Sequence, residues 1–273
     1  MIGSHRTALV TGAGDGLGRA IARMLADEGL RVWATARRTG RLDALAAGSG
    51  GRIRPLALTL EDPASIDAAE ARAAAEAGGA VDVVVNNAGY GVFGEFESVG
   101  AEEWERQVSA MLGGSLRLAH RAWARWRQEG RAGTLVNVSS LAAEFPLPFM
   151  SGYNAVKSGL SALSESLMLE ARGSPLTVID FRPGDYRTGF NTAIRPQAQS
   201  AVAAGVWRRM DAMLAAAPDP ERAAAHLRRA LRRNRSGVVR SGSWFQASLA
   251  PAAARFLPAG LKRALTARYF QLR

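Results

Sequence analysis

Tyr153 and Lys157 stand four residues apart in SGYNAVKSGL, a spacing that puts both side chains on one face of a helix. A phenol, with an ordinary pKa of about 10, is a poor proton carrier at neutral pH, and a neighbouring ammonium favours its ionised form. The pair therefore suits a tyrosine acting as general acid–base. Ser140 ends the run TLVNVSS (134–140), from which its hydroxyl can bond a carbonyl oxygen gaining negative charge during reduction. Near the N-terminus, TGAGDGLG (11–18) lies between an apolar run and a helical stretch. Gly12 permits a tight turn, Gly16 lets backbone approach a pyrophosphate, and Gly18 lets the helix pack close to a strand. The helix N-terminus adds N–H groups and a dipole for the anion. An acid about 20 residues beyond such glycines commonly accepts from a ribose 2′-hydroxyl. Here the run reads Thr35-Ala36-Arg37-Arg38, with no acid before Asp43. Two guanidinium groups suit a 2′-phosphate instead, which favours NADP over NAD.

The elements that must hold these groups alternate between short β-branched runs and helical stretches, the pattern of an α/β protein with a parallel sheet. Strands are predicted at Thr7–Thr11, Arg31–Ala36, Leu56–Leu60, Val81–Gly89, Thr134–Ser140, Pro175–Phe181 and Ser236–Gly242. Helices are predicted over Arg19–Glu28, after Asp62-Pro63, over Glu102–Glu129, over Tyr153–Ala171 and over Arg222–Arg235. The alternation makes residues 1–243 one domain, with a strand-free lid or substrate loop at 189–220 and an extension at 244–273. The 273 residues include no cysteine, which removes disulfides, thiolate metal sites and cysteine nucleophiles. Three dispersed histidines, His5, His120 and His226, make a poor metal site. No apolar run reaches the roughly 18 residues of a membrane span, and no signal-peptide core is seen, so a soluble cytoplasmic protein is expected.

Five marks in order across residues 7–190 resemble the single-domain branch of the short-chain dehydrogenase/reductase family: TGAGDGLG, NNAG (Asn86–Gly89), VNVSS, YNAVK (Tyr153–Lys157) and RPGDYRTG. The gap of 13 from Ser140 to Tyr153 fits that family and selects Ser140 over Ser139. The resemblance implies a Rossmann-type, doubly wound parallel sheet of seven or so strands with helices on both faces. It implies that Tyr153 protonates a carbonyl oxygen as hydride arrives from nicotinamide, while Lys157 also holds the nicotinamide ribose. NADP(H), with NAD(H) second, would be held by Gly12, Gly14, Asp15, Gly16, Leu17, Gly18, Arg37, Arg38, Thr59, Leu60, Asn87, Ala88, Gly89, Tyr153, Lys157, Pro183, Gly184, Tyr186 and Thr188. A homodimer or homotetramer is also implied. The chain departs from the family at Met111, where an asparagine is usual, at Thr59, where an aspartate is usual, and at Asp185-Tyr186, where an apolar pair is usual. Those departures keep two other readings open: a redox-neutral epimerase, dehydratase or cyclase on the same fold, and a non-catalytic NADP-binding protein.

Phe93, Phe145, Phe149, Tyr186 and Phe190, with Leu147, Met150, Trp207 and Met210, form either an aromatic wall for a hydrophobic carbonyl or alcohol, or part of the core. Charge is unevenly spread. Residues 1–190 hold 20 Lys and Arg against 21 Asp and Glu, whereas residues 191–273 hold 15 against 3. In the extension, Leu261, Leu265, Tyr269 and Leu272 recur at helical spacing against Lys262, Arg263, Arg268 and Arg273. Such a segment can lie peripherally on an anionic membrane, close over the substrate, or dock on another subunit. Nucleic-acid binding is not expected, because no recognition module or aromatic interleaving accompanies the basic cluster.

Overall fold

The computed structural model describes residues 2–190, 194, 196–254 and 256–272. Its strands are β1 (Thr7–Val10), β2 (Arg31–Ala36), β3 (Ile53–Ala57), β4 (Val83–Asn86), β5 (Phe93–Gly94), β6 (Gly133–Val138), β7 (Leu176–Pro183), β8 (Pro196–Gln197) and β9 (Gly237–Ser241). The described helices are α1 (Gly16–Asp27), α2 (Asp43–Ala47), α3 (Pro63–Ala77), α4 (Ala101–Val108), α5 (Gly114–Glu129), α6 (Ser151–Glu170), α7 (Ala201–Ala215), α8 (Pro220–Arg233), α9 (Ala250–Ala254) and α10 (Ala259–Tyr269). Seven strands form one parallel sheet in the order β3-β2-β1-β4-β6-β7-β9. The order reverses between β1 and β4, so the crevice of this doubly wound sheet opens at their carboxyl ends.

Successive side chains of a strand point to opposite faces, and both faces here are covered. Ala8, Val10, Val32, Ala34, Val83 and Val85 pack with Ile21, Leu25, Leu227 and Leu231 of α1 and α8. Leu9, Trp33, Leu56, Val84 and Leu135 pack on the opposite side with Ile66, Ala73, Leu118 and Trp126 of α3 and α5. The buried indole of Trp126 donates to Val81 O at 2.7 Å, so its polar atom is satisfied. Local signals set several helix ends. The Asp62 side chain accepts from Ala64 N, Pro63 opens α3, and Gly78 closes it at φ 78°.

Three expectations need correction. The third strand runs over Ile53–Ala57 rather than Leu56–Leu60, because Arg54–Ala57 align with Trp33–Ala36. Pro55 is tolerated there because β3 is an edge strand. The predicted helix 102–129 is broken at Ser109–Gly113 by a turn of π-helix between α4 and α5. The 189–220 segment contains secondary structure: β8 pairs in parallel with β5, and α7 fills 15 residues. Glu95 anchors it, accepting from Gln199 N at 3.1 Å and from Ser200 N and Oγ at 2.8 and 2.6 Å. Those bonds, led by the Ser200 hydroxyl, bring its pKa down to about 2. With residues of this segment, Phe93, Met150 and Phe270 form a separate apolar cluster that includes Ile194, Val206 and Met210.

The extension turns through Phe245–Leu249 into α9 and α10. Its leucine stripe is only partly buried: Leu261, Leu265 and Tyr269 stay about half exposed, Leu272 packs partly buried on that cluster, and the adjacent Phe270 is buried. Lys262 turns inward, its ammonium 4.8 Å from the Phe145 ring centre. Arg273 lies outside the described residues. Among the described residues, no helix is long and apolar enough to cross a membrane.

Candidate active site

The carboxyl ends of β1, β4, β6 and β7 open into one cleft of about 1070 Å³. On its β1 side, a Cβ on Gly12 (φ 67°) would come within 2.7 Å of Ala88 Cα. One on Gly18 would strike Gly12 O and the Asn87 amide. Both positions therefore need glycine for the loop to pass this close. Asn87 Nδ2 donates to Thr11 O at 2.8 Å, and Thr11 Oγ1 accepts from Asn87 N and Ala88 N at 2.9 and 3.0 Å. These bonds clamp the glycine turn to the NNAG turn. Asp15 caps α1 by accepting from Gly16 N at 2.7 Å. A cradle of bare backbone at a helix N-terminus fits the pyrophosphate of a dinucleotide.

Gly12, Gly14, Asp15, Gly16, Leu17 and Gly18 all line the cleft, as do Arg37, Arg38, Leu60, Asn87, Ala88, Gly89, Pro183, Gly184, Tyr186 and Thr188. Thr59 does not; its N–H is taken by Ser65 Oγ at 3.0 Å as the chain turns toward α3. Arg41 joins Arg37 and Arg38 at the rim and is a residue the sequence reading passed over. Its signal was the same run of guanidinium groups without an acid. Tyr186 reaches the cleft only by an edge. Its phenol shares a 2.6 Å hydrogen bond with Ser241 Oγ, which lies 2.7 Å from His226 Nδ1.

On the β6 side, Ser140, Tyr153 and Lys157 come together at the cleft wall. Ser140 leaves β6 in extended conformation, accepts from Ala142 N at 3.0 Å and donates to Pro183 O at 3.4 Å. Burial pushes the Tyr153 phenol up to about 12, with the Ser140 hydroxyl pulling the other way and the Asp185 charge adding to the rise. Burial brings the Lys157 ammonium down to about 8 against the pull of Asp180. Lys157 Nζ donates to Val138 O at 2.7 Å and lies 5.5 Å from the Tyr153 ring centre. The expected lowering by lysine is not found: desolvation dominates, and the Ser140 hydroxyl is the group that opposes it. At neutral pH the phenol keeps its proton, the form a proton donor needs.

Behind this group lies a buried polar cluster that the sequence reading missed. Asp180 accepts from Ser139 Oγ, from Ser161 Oγ at 2.7 Å and from Arg182 Nε at 2.8 Å. Arg182 and Arg240 both reach Glu144 Oε1 at 2.7 Å. The signal was present in IDFRP: an acid and an arginine two apart in an otherwise apolar strand share one face. The cluster occupies Ser139 and leaves the adjacent Ser140 on the cleft side.

Met111 lies in the π turn, lines the cleft and accepts from Tyr90 N through its sulfur at 3.4 Å. Its methyl occupies the space beside Gly89. Phe145, Leu147, Met150, Phe190 and Met210 line the apolar side of the cleft. Phe93, Phe149 and Trp207 do not. Phe93 is fully buried, its ring 5.7 Å from Phe149 and 5.0 Å from Trp207, in the apolar cluster it shares with Val206 and Met210. The extension supplies wall residues no motif announced, including Gln246, Leu249, Leu257, Leu265, Thr266 and Tyr269.

The sequence profile of the family described as short chain dehydrogenase matches residues 6–199. An uncharacterized oxidoreductase of Schizosaccharomyces pombe is 34% identical over 189 residues, covering 69% of this chain and 63% of the relative. A 3-ketodihydrosphingosine reductase of Bacteroides thetaiotaomicron is 30% identical over 182 residues, covering 67% and 64%. The chain thus spans less than two thirds of the length of these two relatives. A short-chain dehydrogenase structure from Streptomyces avermitilis superposes with a TM-score of 0.80 at 31% identity, over 93% of this chain and 95% of the other. Solved neighbours of the fold hold NADP in some cases and NAD in others. By profile, relatives and fold, the chain belongs to the short-chain dehydrogenase/reductase family of oxidoreductases.

Proposed function

We propose that the protein interconverts a bulky hydrophobic ketone or aldehyde and its alcohol, using NADP(H), with Tyr153 as general acid–base. The observation carrying this reading is the meeting of Ser140, Tyr153 and Lys157 in a cleft that has a glycine cradle at one end and apolar walls at the other. The bound nicotinamide supplies or takes up the hydride. The Ser140 hydroxyl, keeping its proton, donates a hydrogen bond to the carbonyl oxygen in place of Pro183 O and stabilises the charge that builds there. Tyr153 passes its phenolic proton to the same oxygen, completing the alcohol; in oxidation the phenolate takes that proton back. Lys157, already aimed by Val138 O, has two further N–H donors for ribose hydroxyls. The Met150, Phe145 and Leu257 side of the cleft keeps water from the reacting carbon. Arg37, Arg38 and Arg41 at the rim support a 2′-phosphate over a bare ribose. The Bacteroides relative, named for reduction of a ketone, supports the same direction.

The decisive test is Tyr153→Phe assayed with NADPH and a panel of hydrophobic ketones. Turnover should fall by about 10²–10⁴-fold, with NADPH affinity within a few fold of the parent protein. Undiminished turnover would remove Tyr153 from the chemistry. Stoichiometric loss of NADPH with alcohol formation separates this reading from a redox-neutral reaction.

A further inference from the structure

Within the apolar part of the cleft stands one carboxyl group that the proposed hydride transfer does not use. Asp185 follows Gly184 at the end of β7 and lines the cleft together with Ser140 and Tyr153. Its Oδ2 accepts from Gln246 Nε2 at 2.6 Å. The amide of Gln246 is itself oriented, since its Oε1 accepts from Ser243 N at 3.4 Å. No described residue donates to Asp185 Oδ1, and no described arginine or lysine pairs with the carboxylate. Burial raises its pKa, with Gln246 opposing, and its charge is felt at Tyr153 and at Tyr269. A half-satisfied acid among apolar walls costs free energy unless something fills its remaining lone pairs. Leu141, Phe245 and Leu249 of the same cleft offer no donor, and the Tyr153 and Tyr269 hydroxyls, which feel its charge, make no hydrogen bond to it among the described residues.

We infer that Asp185 is a substrate-recognition group: its free oxygen accepts a hydrogen bond from a hydroxyl or ammonium carried by the substrate close to the reacting carbonyl. The inference rests on the carbonyl reading above and sharpens it. The substrate is then an apolar chain whose polar head is a hydroxy ketone or amino ketone rather than a plain ketone. The apolar walls take the chain, Ser140 and Tyr153 meet the carbonyl oxygen, and Asp185 meets the donor beside it. Gln246 is a positioning residue that keeps the carboxylate turned toward the substrate. It also couples recognition to the extension, because it is contributed from beyond β9.

The test compares an alkyl methyl ketone with its α-hydroxy and α-amino derivatives of equal chain length, in the parent protein, Asp185→Asn and Asp185→Leu. In the parent protein, kcat/KM for a donor-bearing ketone should exceed that of the plain ketone by more than tenfold. Asp185→Leu should abolish that ratio. Asp185→Asn, which keeps the shape and one acceptor oxygen, should retain preference for the hydroxy ketone and lose it for the amino ketone if the natural donor is a hydroxyl. Loss of both marks an ammonium or a charge-dependent contact. An unchanged ratio in Asp185→Leu overturns the inference. Binding of octylamine and octanol, followed by tryptophan fluorescence without cofactor, gives a readout independent of turnover. If no ketone consumes NADPH in the parent protein, the carbonyl reading fails. Binding weakened more than tenfold by Asp185→Leu would then still support Asp185, and unaltered binding would dismiss it.

Discussion

The two ends of the cleft are built on different principles. The glycine end is backbone: glycines after β1 and at the start of α1, clamped by Asn87 and Thr11, with no room for a side chain at Gly12 or Gly18. The apolar end is side chain: a segment anchored through Glu95 and an extension whose leucines touch the cleft yet remain partly exposed. Charge follows the same division, near neutral through residue 190 and strongly basic after it. A backbone cradle binds what all members of a family share and tolerates little change. A wall of exchangeable side chains can be altered without disturbing the sheet, which is how one fold serves many substrates.

The sharpest attempt to break this contrast is Gly18→Val. Its Cβ and methyls have no room beside Gly12 O, so NADPH affinity, measured by nicotinamide fluorescence, should fall more than about 100-fold or the domain should fail to close. Retained binding would show that the cradle is looser than the structure says. Next in size, the double change Arg37→Ala with Arg38→Ala should weaken NADPH by about 10–100-fold, on the worth of charge-assisted hydrogen bonds, and NADH by no more than about twofold. Equal loss for both cofactors would mean that the arginines do not read the 2′-phosphate.

Lys157 sits at the seam between the two ends. The residue is 5% exposed and its pKa is lowered from 10.5 to about 8 by burial. The unfolded chain therefore binds more protons than the native one between those values, and stability should rise with pH through that window. Below about pH 8 the charged lysine is a cost. Lys157→Met should then raise stability near neutral pH by about 1–2 kcal/mol after discounting the lost bond to Val138 O, while removing activity. A lower Tm in that variant would show that the bond outweighs the desolvation. The smallest effect is expected at the apolar end. Leu249→Ala with Leu265→Ala should raise KM for a hydrophobic ketone about three- to tenfold with kcat little changed, on about 0.8 kcal/mol per buried methylene and partial burial.

What could be read from the sequence divides along the same line. Glycines forced by close approach, caps such as Asp62 with Pro63, and a tyrosine–lysine pair on one helix face are local patterns, so the sheet, the tight glycine turn and the meeting of Tyr153 with Lys157 were all legible. The 189–220 segment was not. Its strand β8 exists only because β5 offers a partner about 100 residues earlier, and its helix is capped against a distant Glu95. Phe93 illustrates the ambiguity well: an aromatic residue beside a cleft looks the same in sequence whether it faces the ligand or, as here, the rings of Phe149 and Trp207. Asp180 and Arg182 show the opposite failure, a visible charged pair in a buried strand whose partners lie on other elements.

The π turn at Ser109–Gly113 carries a consequence for the chain's tolerance of length changes. A π turn holds one residue more than α-helical winding requires, which makes it an insertion absorbed in place. Each residue of an α-helix turns by about 100°. The extra one lets α4 present Trp104 and Gln107 toward Gly152 of α6 and Tyr90 while α5 presents Leu118, Ala122 and Trp126 to the sheet. Deleting a single residue between Ser109 and Gly113 would give a more regular helix and a worse protein, because only one of the two halves could keep its facing. Lengthening by one residue elsewhere in the same helix has no such absorber, so the two operations, equal in number of atoms, are unequal in effect.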